Sequence, residues 1–215
     1  MKIIYEDENI QVFDKPAGIN ADDIPMRVHR LDKDTSGVLV VAKNEKTLEF
    51  LQKQFKERKV EKKYIALVVG HLKDKEGTIE TLLGRSPRDR RKQKVFSPHE
   101  PGVEKIYRKA ITKYRVLKKL SARGGSALGG KNYDLIEVEP ETGRKHQIRA
   151  HVAYLGHPIL GDKLYGFKNQ PSPKGLNRQF LHAAYLKIKL PNGEIKEFKS
   201  NLPDDLAICL QKLIQ

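Results

Sequence analysis

The chain has 215 residues, with 42 lysines and arginines against 27 acidic residues, so its formal charge at neutral pH is +15. With 38% hydrophobic residues and a length at which folding buries about 70% of the unfolded surface, a true core is expected and global disorder is excluded. The positive excess implies either a polyanionic partner or a solubility charge, and clustering of the cations separates the two.

Cys209 is the single cysteine, so neither an internal disulfide nor a cysteine zinc site can be built. Its spacing from Leu206, Leu210 and Leu213 turns it inward on a C-terminal helix. The N-terminus, Met1 to Asp7, turns acidic where a secretory signal needs an apolar stretch. No uncharged apolar run approaches the ~20 residues that span a bilayer. A cytoplasmic chain folded as one domain over residues 1–215 is expected, with no repeat or linker to divide it.

In chain order, Ile3 to Tyr5 and Ile10 to Phe13 are short apolar runs split by Glu6-Asp7-Glu8-Asn9, which reads as a hairpin. Lys15-Pro16-Ala17-Gly18 stops the second strand, because proline lacks the ladder donor. Val38 to Ala42 follows Thr35-Ser36-Gly37 as a buried strand fed by a turn. Leu48, Leu51, Gln52 and Phe55 then recur at three and four, behind Asn44 as N-cap, predicting a helix of about three turns. Tyr64 to Val69 reads as a strand ended by Gly70, and Ile111 to Leu117 as another.

Arg85 to Lys94 holds six cations and one acid, which predicts an extended basic loop. Residues 121–130 are rich in glycine and serine, hence a mobile loop. Tyr133 to Val138 resumes β structure. Thr142 can cap a helix carrying Ile148, Val152 and Leu155, ended by Gly156 and Pro158. Leu181 to Leu190 and Ile195 to Phe198 form a late hairpin about Pro191-Asn192-Gly193. Strands outnumber helices and rarely alternate with them, so the fold class is α+β, a largely antiparallel mixed β-sheet with flanking helices and loops.

Two segments are dense in chemistry. The first is His29-Arg30-Leu31-Asp32-Lys33-Asp34-Thr35-Ser36-Gly37. It imitates a calcium loop, but Lys43 stands where the bidentate glutamate should be, so that reading is rejected. A self-bonded turn and a carboxylate nucleophile at Asp32 both fit. The second is Thr142 to His151. With Thr142 as cap, Arg144, Lys145 and His146 fall in the first helical turn, beside free N–H groups where anions bind, so cations there suggest a phosphate. Lys145 and Arg149 would share a face at i, i+4, with Arg149 one step from the apolar stripe. A solvated basic helix end is the plain alternative. His146 and His151 are five apart and support no metal. Lys53, Lys56, Arg58, Lys59, Lys62 and Lys63, with the basic loop, make a polyanion track. Tyr64 closes that cluster, as a half-buried sheet aromatic or a platform for a base.

Together these segments resemble the RluA-type pseudouridine synthases. The resemblance rests on Lys15-Pro16-Ala17-Gly18, on HRLDKDTSG from His29 to Gly37, and on Lys63-Tyr64 opening a strand. It rests also on TGRKHQIRAH from Thr142 to His151, Leu155 to Asp162, and Leu181-His182-Ala183, in the family's order over roughly residues 3–190. It implies isomerisation of chosen uridines in structured RNA, ribosomal or transfer, with one essential aspartate and with neither metal nor organic cofactor. By position, Asp32 matches the catalytic carboxylate, Tyr64 the aromatic beside the target base, and Arg149 the arginine paired with the aspartate. Arg30 is similar to a residue contacting RNA around the flipped nucleotide, and Leu181 to an aliphatic pocket residue. Arg144, Lys145 and His146, with Arg88, Arg90 and Arg91 of the basic loop, would contact phosphates. Relatives generally act as monomers, and many carry an accessory RNA-binding domain for which this chain has no room. The Gly18 to His29 connection is also shorter than the family's usual one. The rival readings are a noncatalytic RNA-binding protein and a metal-dependent nuclease using Asp32 and Asp34.

Overall fold

The computed structural model describes residues 1–97, 107–121, 132–168, 170, 173 and 175–214. In chain order its elements are β1 (Lys2–Glu6), β2 (Ile10–Lys15), a 3-10 turn (Ala21–Asp23), β3 (Ser36–Ala42), α1 (Glu45–Lys56), β4 (Glu61–Val69), β5 (Glu76–Arg85), β6 (Gln93–Phe96), β7 (Arg108–Ser121), β8 (Asn132–Pro140), α2 (Gln147–Tyr154), β9 (Leu181–Lys189), β10 (Ile195–Lys199) and α3 (Asp204–Ile214). The fold is α+β with mostly antiparallel pairing. The chain divides into two compact units: Met1–Tyr64 with Leu181–Pro203, and Ile65–Phe180 with Asp204–Gln215.

In the first unit the expected hairpin of β1 and β2 forms, and β2 lies antiparallel to β3. Period-two alternation in β3 sends Val38, Val40 and Ala42 to one face, where they meet Ile10, Val12, Leu51, Leu186 and Phe198. Leu39 goes to the other face and packs with Leu31 and Ala183, beside Ile24 and Tyr64. Helix α1 begins as expected: the Asn44 side chain accepts from Thr47 N–H at 2.9 Å. Burial of Leu51, with Leu48 and Phe55 packed alongside, seats the helix on the first face.

β3 and β9 pair in parallel through Ser36 with His182 and Gly37 with Ala183. Gly37 has φ +118°, and a Cβ there would stand 2.2 Å from the Ala183 carbonyl oxygen. Only glycine allows both the dihedral and the approach. Gly37→Ala is therefore expected to destabilise the protein by at least about 2 kcal/mol, measurable by urea unfolding.

In the second unit β6, β5, β7 and β8 pair antiparallel in that order. β5 and β6 are not among the strands expected from the sequence: β5 carries Gly77 and Gly84, and β6 opens with Gln93 and Lys94 of the basic stretch. In the fold an aromatic ring covers each glycine: a Cβ on Gly77 would fall 2.8 Å from Tyr114 Oη, and one on Gly84 would overlap the Tyr107 ring. The stretch from Arg85 to Lys94 is accordingly not an extended loop. It reverses sharply, with Ser86 N–H donating to Lys92 C=O at 3.0 Å and Lys92 N–H to Asp89 C=O at 2.9 Å. The glycine-rich loop expected at 121–130 lies outside the described residues beyond Ser121.

The expected cap of α2 is also corrected. The helix starts at Gln147, preceded by His146 in a left-handed conformation at φ +55°. Thr142 cannot cap it, because its hydroxyl accepts from Ile111 N–H at 3.0 Å and donates to Gln147 Oε1 at 2.6 Å. Gln147 Oε1 also takes Arg144 N–H at 3.0 Å. Arg144, Lys145 and His146 thus precede the helix, and Lys145 shares no helical face with Arg149. The C-terminal helix forms as read, with Cys209 buried.

Candidate active site

Asp32 sits half-buried in the turn leading to β3, after buried Leu31. Thr35 N–H closes that turn on Asp32 C=O at 3.0 Å. A second restraint comes from Lys15, fully buried, whose ammonium donates to the carbonyls of Pro16, Ile19 and Lys33 at 2.9, 2.9 and 3.0 Å. Gly18 N–H donates to Lys33 C=O at 2.9 Å. One cation therefore ties the Lys15 to Gly18 loop to the residue following Asp32. The third restraint is Ser36, bonded through its hydroxyl to His182 Nδ1 at 2.9 Å. His182 Nε2 lies 3.0 Å from Ser200 C=O. A carbonyl only accepts, so Nε2 carries the proton and Nδ1 accepts from Ser36.

Tyr64 packs against the cluster of Leu31, Leu39 and Ala183. Burial, and then the charge of Asp32, push its phenol well above the ordinary range. Tyr64 is thus a neutral phenol at pH 7, with a ring face and an O–H donor, and the resting protein holds no phenolate base there. His29 is likewise neutral: burial, then Lys62, hold it down at about 3. Its ring stacks on Phe55 at 4.8 Å and accepts from Val40 N–H at 3.2 Å.

In the second unit, Arg149 is buried in α2 and forks onto Asp162, Nε to Oδ2 at 2.7 Å and Nη2 to Oδ1 at 2.9 Å. Asp162 also accepts from Leu164 and Tyr165 N–H at 2.9 and 3.0 Å. Gly161 makes the bend before it, at φ +76°, where a Cβ would strike the Arg178 carbonyl oxygen at 2.2 Å. The Tyr165 ring lies 5.2 Å from the Arg149 guanidinium, and its hydroxyl accepts from Gln93 N–H at 2.6 Å. His146 Nδ1 is 3.2 Å from the same hydroxyl. Sequence reading assigned no role to Lys15, His182, Asp162 or Tyr165. The one available signal was chemical: Lys15 and Asp162 come shortly after the apolar runs Val12-Phe13 and Ile159-Leu160, and a charge carried into the interior needs a partner.

α2 is held by a further buried set. His151 Nδ1 lies 2.8 Å from Thr112 Oγ1 and Nε2 2.9 Å from Thr81 Oγ1. Burial lowers His151 to about 4. The unfolded chain takes up that proton first as pH falls, so stability should decline between about pH 6.5 and 4, by up to about 3 kcal/mol. His151→Gln should flatten this limb in urea midpoints measured against pH.

The expected RNA contacts are distributed over the two units. Arg30, in the first, is exposed and pairs with Asp22 at 3.2 Å. In the second, Arg88, Arg90 and Arg91 are exposed at the β5–β6 reversal, where Arg91 forks onto Asp89 at 3.0 and 2.9 Å. Arg144 Nε donates to Lys109 C=O at 3.2 Å, and Lys145 is exposed. Leu181, buried, opens β9 in the first unit. Among the described residues no group of three or more His, Cys, Asp or Glu could hold a metal ion, and no helix is long and apolar enough to cross a membrane.

Residues 9–154 match the family described as RNA pseudouridylate synthase, and the chain belongs to that family, whose members are isomerases converting uridine to pseudouridine in RNA. It is 43% identical over 190 residues to an RNA pseudouridine synthase of Chloroflexus aurantiacus, covering 88% of this chain and 54% of that one. It is 36% identical over 244 residues to ribosomal large subunit pseudouridine synthase D of Nitrosomonas europaea, covering 99% and 65%. The chain thus spans 54% to 65% of the length of these two relatives. Among solved structures, human RNA pseudouridylate synthase domain containing 1 matches with a TM-score of 0.79 at 30% identity, covering 96% of this chain and 86% of that one. The human domain containing 4 matches at 0.74 and 27%, covering 98% and 92%.

Proposed function

We propose that this chain isomerises uridine to pseudouridine in a structured RNA, ribosomal or transfer, with Asp32 as the reacting carboxylate. The observation that carries the reading is the Asp32 charge acting on the Tyr64 phenol, with Tyr64 packed on the apolar cluster of Leu31, Leu39 and Ala183 and Asp32 directly following Leu31 in the chain. The reaction breaks the bond from N1 to the anomeric carbon, joins that carbon to C5, and moves one proton from C5 to N1. A carboxylate opens this path by capturing the sugar carbon or by removing a sugar proton. The neutral Tyr64 ring offers a face on which the severed uracil turns without escaping. Arg149 is assigned a catalytic part on its match to the family motif, and Leu181 is an apolar wall of the pocket, which limits hydrolysis to an abasic site.

A stacked uridine must be flipped out, at a cost of about a few kcal/mol. Phosphate contacts from Arg30, Arg144, Lys145, His146, Arg88, Arg90 and Arg91 offset that cost and position the RNA without reading its sequence. The test is release of tritium from ribosomal and transfer RNA transcripts labelled at uridine C5, with pseudouridine mapped in the product. Release matched by pseudouridine is the expected result. No release from either RNA, with the protein folded, overturns the reading.

A further inference from the structure

Two arginines converge on one carboxylate just upstream of Asp32. Arg27 Nη2 lies 2.9 Å from Asp22 Oδ1, and Arg30 Nη2 3.2 Å from Oδ2. Arg27 also donates to the Asp22 carbonyl at 3.1 Å. The three side chains are 35%, 40% and 46% exposed for Arg27, Asp22 and Arg30. They line an open groove of about 560 Å³ with Ile24, Pro25 and Leu48.

The cations and the acid are held differently. The backbone carrying the arginines is pinned along β3: Arg27 bridges Val41, Val28 N–H donates to Val40 C=O at 3.0 Å, and Ala42 N–H to Met26 C=O at 2.9 Å. Met26 adopts φ +54°, a conformation unfavourable for a methionine, at the turn into this segment. Asp22 instead sits on the single 3-10 turn Ala21–Asp23, and among the described residues its carboxylate meets these two guanidiniums alone. The neighbouring Asp23 is engaged by Asn20 Nδ2 at 3.1 Å. Exposed ion pairs are weak, and guanidiniums bind phosphate oxygens at least as well as carboxylate oxygens. A phosphodiester presents two nonbridging oxygens, as this carboxylate does.

We propose that Asp22 is a placeholder for a backbone phosphate of the RNA: the phosphodiester displaces its carboxylate and is gripped by Arg27 and Arg30 in the groove formed by the segment that precedes Asp32 in the chain. The proposal rests on the reading of the chain as an RNA-modifying enzyme. It assigns Arg27 and Asp22 to substrate binding, Asp22 as the group that lowers affinity for any ligand unable to displace it.

The test measures binding of a fluorescein-labelled stem–loop RNA, with uridines in its loop, by anisotropy over a range of salt concentrations. Asp22→Asn is expected to tighten binding by about threefold to tenfold, with Asp22→Ser as the second variant should the first fail to fold. Arg27→Ala should weaken it by about tenfold and make the log–log salt dependence shallower by about one. The double variant Asp22→Asn/Arg27→Ala should lose the gain. Unchanged or weaker RNA binding by folded Asp22→Asn and Asp22→Ser overturns the proposal. So does a gain confined to competing inorganic phosphate, which would mark a free-anion site. Because the readout is affinity, its failure leaves tritium release intact, whereas failure of the isomerase reading leaves no tritium release with the affinity pattern preserved.

Discussion

Asp32→Asn is expected to lower pseudouridine formation by at least about 10⁴-fold, equivalent to about 5 kcal/mol of transition-state stabilisation, while RNA affinity stays within about threefold. The carboxamide keeps the size of the side chain but is neither a nucleophile toward the sugar carbon nor a base. The fold should tolerate it, since the turn is closed through the Asp32 carbonyl, and the Lys15 ammonium grips the carbonyls of Pro16, Ile19 and Lys33. Affinity should hold because phosphate contacts, not the carboxylate, supply it. Tritium release and anisotropy measured on one preparation separate the two effects, and normal turnover by the variant would remove Asp32 from the chemistry. The variant also tests proximity. The Asp32 charge helps raise the Tyr64 phenol, second to burial, so Tyr64 should titrate at lower pH once that charge is gone.

Asp162→Ala is expected to destabilise the protein by about 3–5 kcal/mol and lower its melting temperature by roughly 10 °C. The Arg149 side chain is 8% exposed and that of Asp162 0%, so removing the acid takes a bidentate acceptor away from a buried guanidinium. The pH dependence follows from the same pair. Burial pushes the Asp162 carboxyl up, but the Arg149 hydrogen bond and charge and the N–H groups of Tyr165 and Leu164 outweigh it and hold the carboxyl below its ordinary value. A carboxyl depressed in the folded state stabilises fully above the unfolded value near 4, and that contribution is lost as pH falls through the folded value. Wild type should therefore lose stability there more steeply than Asp162→Ala, as urea midpoints against pH would show. Arg149→Met/Asp162→Leu should recover only part of the stability, because an apolar pair avoids desolvating two charges but takes the acceptor from the Leu164 and Tyr165 N–H groups. It should not recover activity. Recovery of both would reduce Arg149 to a packing role.

Elements set by neighbours in the chain are legible in the amino-acid order itself. The hairpin of β1 and β2, the Asn44 cap, the turn at Pro191-Asn192-Gly193 and the inward Cys209 each depend on residues within a few positions. The misread elements depend on distant ones. Thr142 has the chemistry of a cap, yet Ile111 and Gln147 claim its hydroxyl. β5, not expected from the sequence, carries Gly77 and Gly84 with Tyr114 and Tyr107 lying over them.

The same division runs through the candidate site. Residue types and order alone, with the family they resemble, single out Asp32, Tyr64 and Arg149, because a carboxylate, an aromatic ring and a guanidinium in those motifs are stated outright by the sequence. What tertiary structure alone decided is how each is held: Lys15 bonded to three carbonyls, the Ser36 to His182 bond with its tautomer, the Asp162 fork and the Asp22 clamp. The decisive buried partners lie well along the chain, Lys33 from Lys15, Asp162 from Arg149 and His182 from Ser36, and the choice among many possible donors and acceptors is made only when burial forces such a polar group to find one.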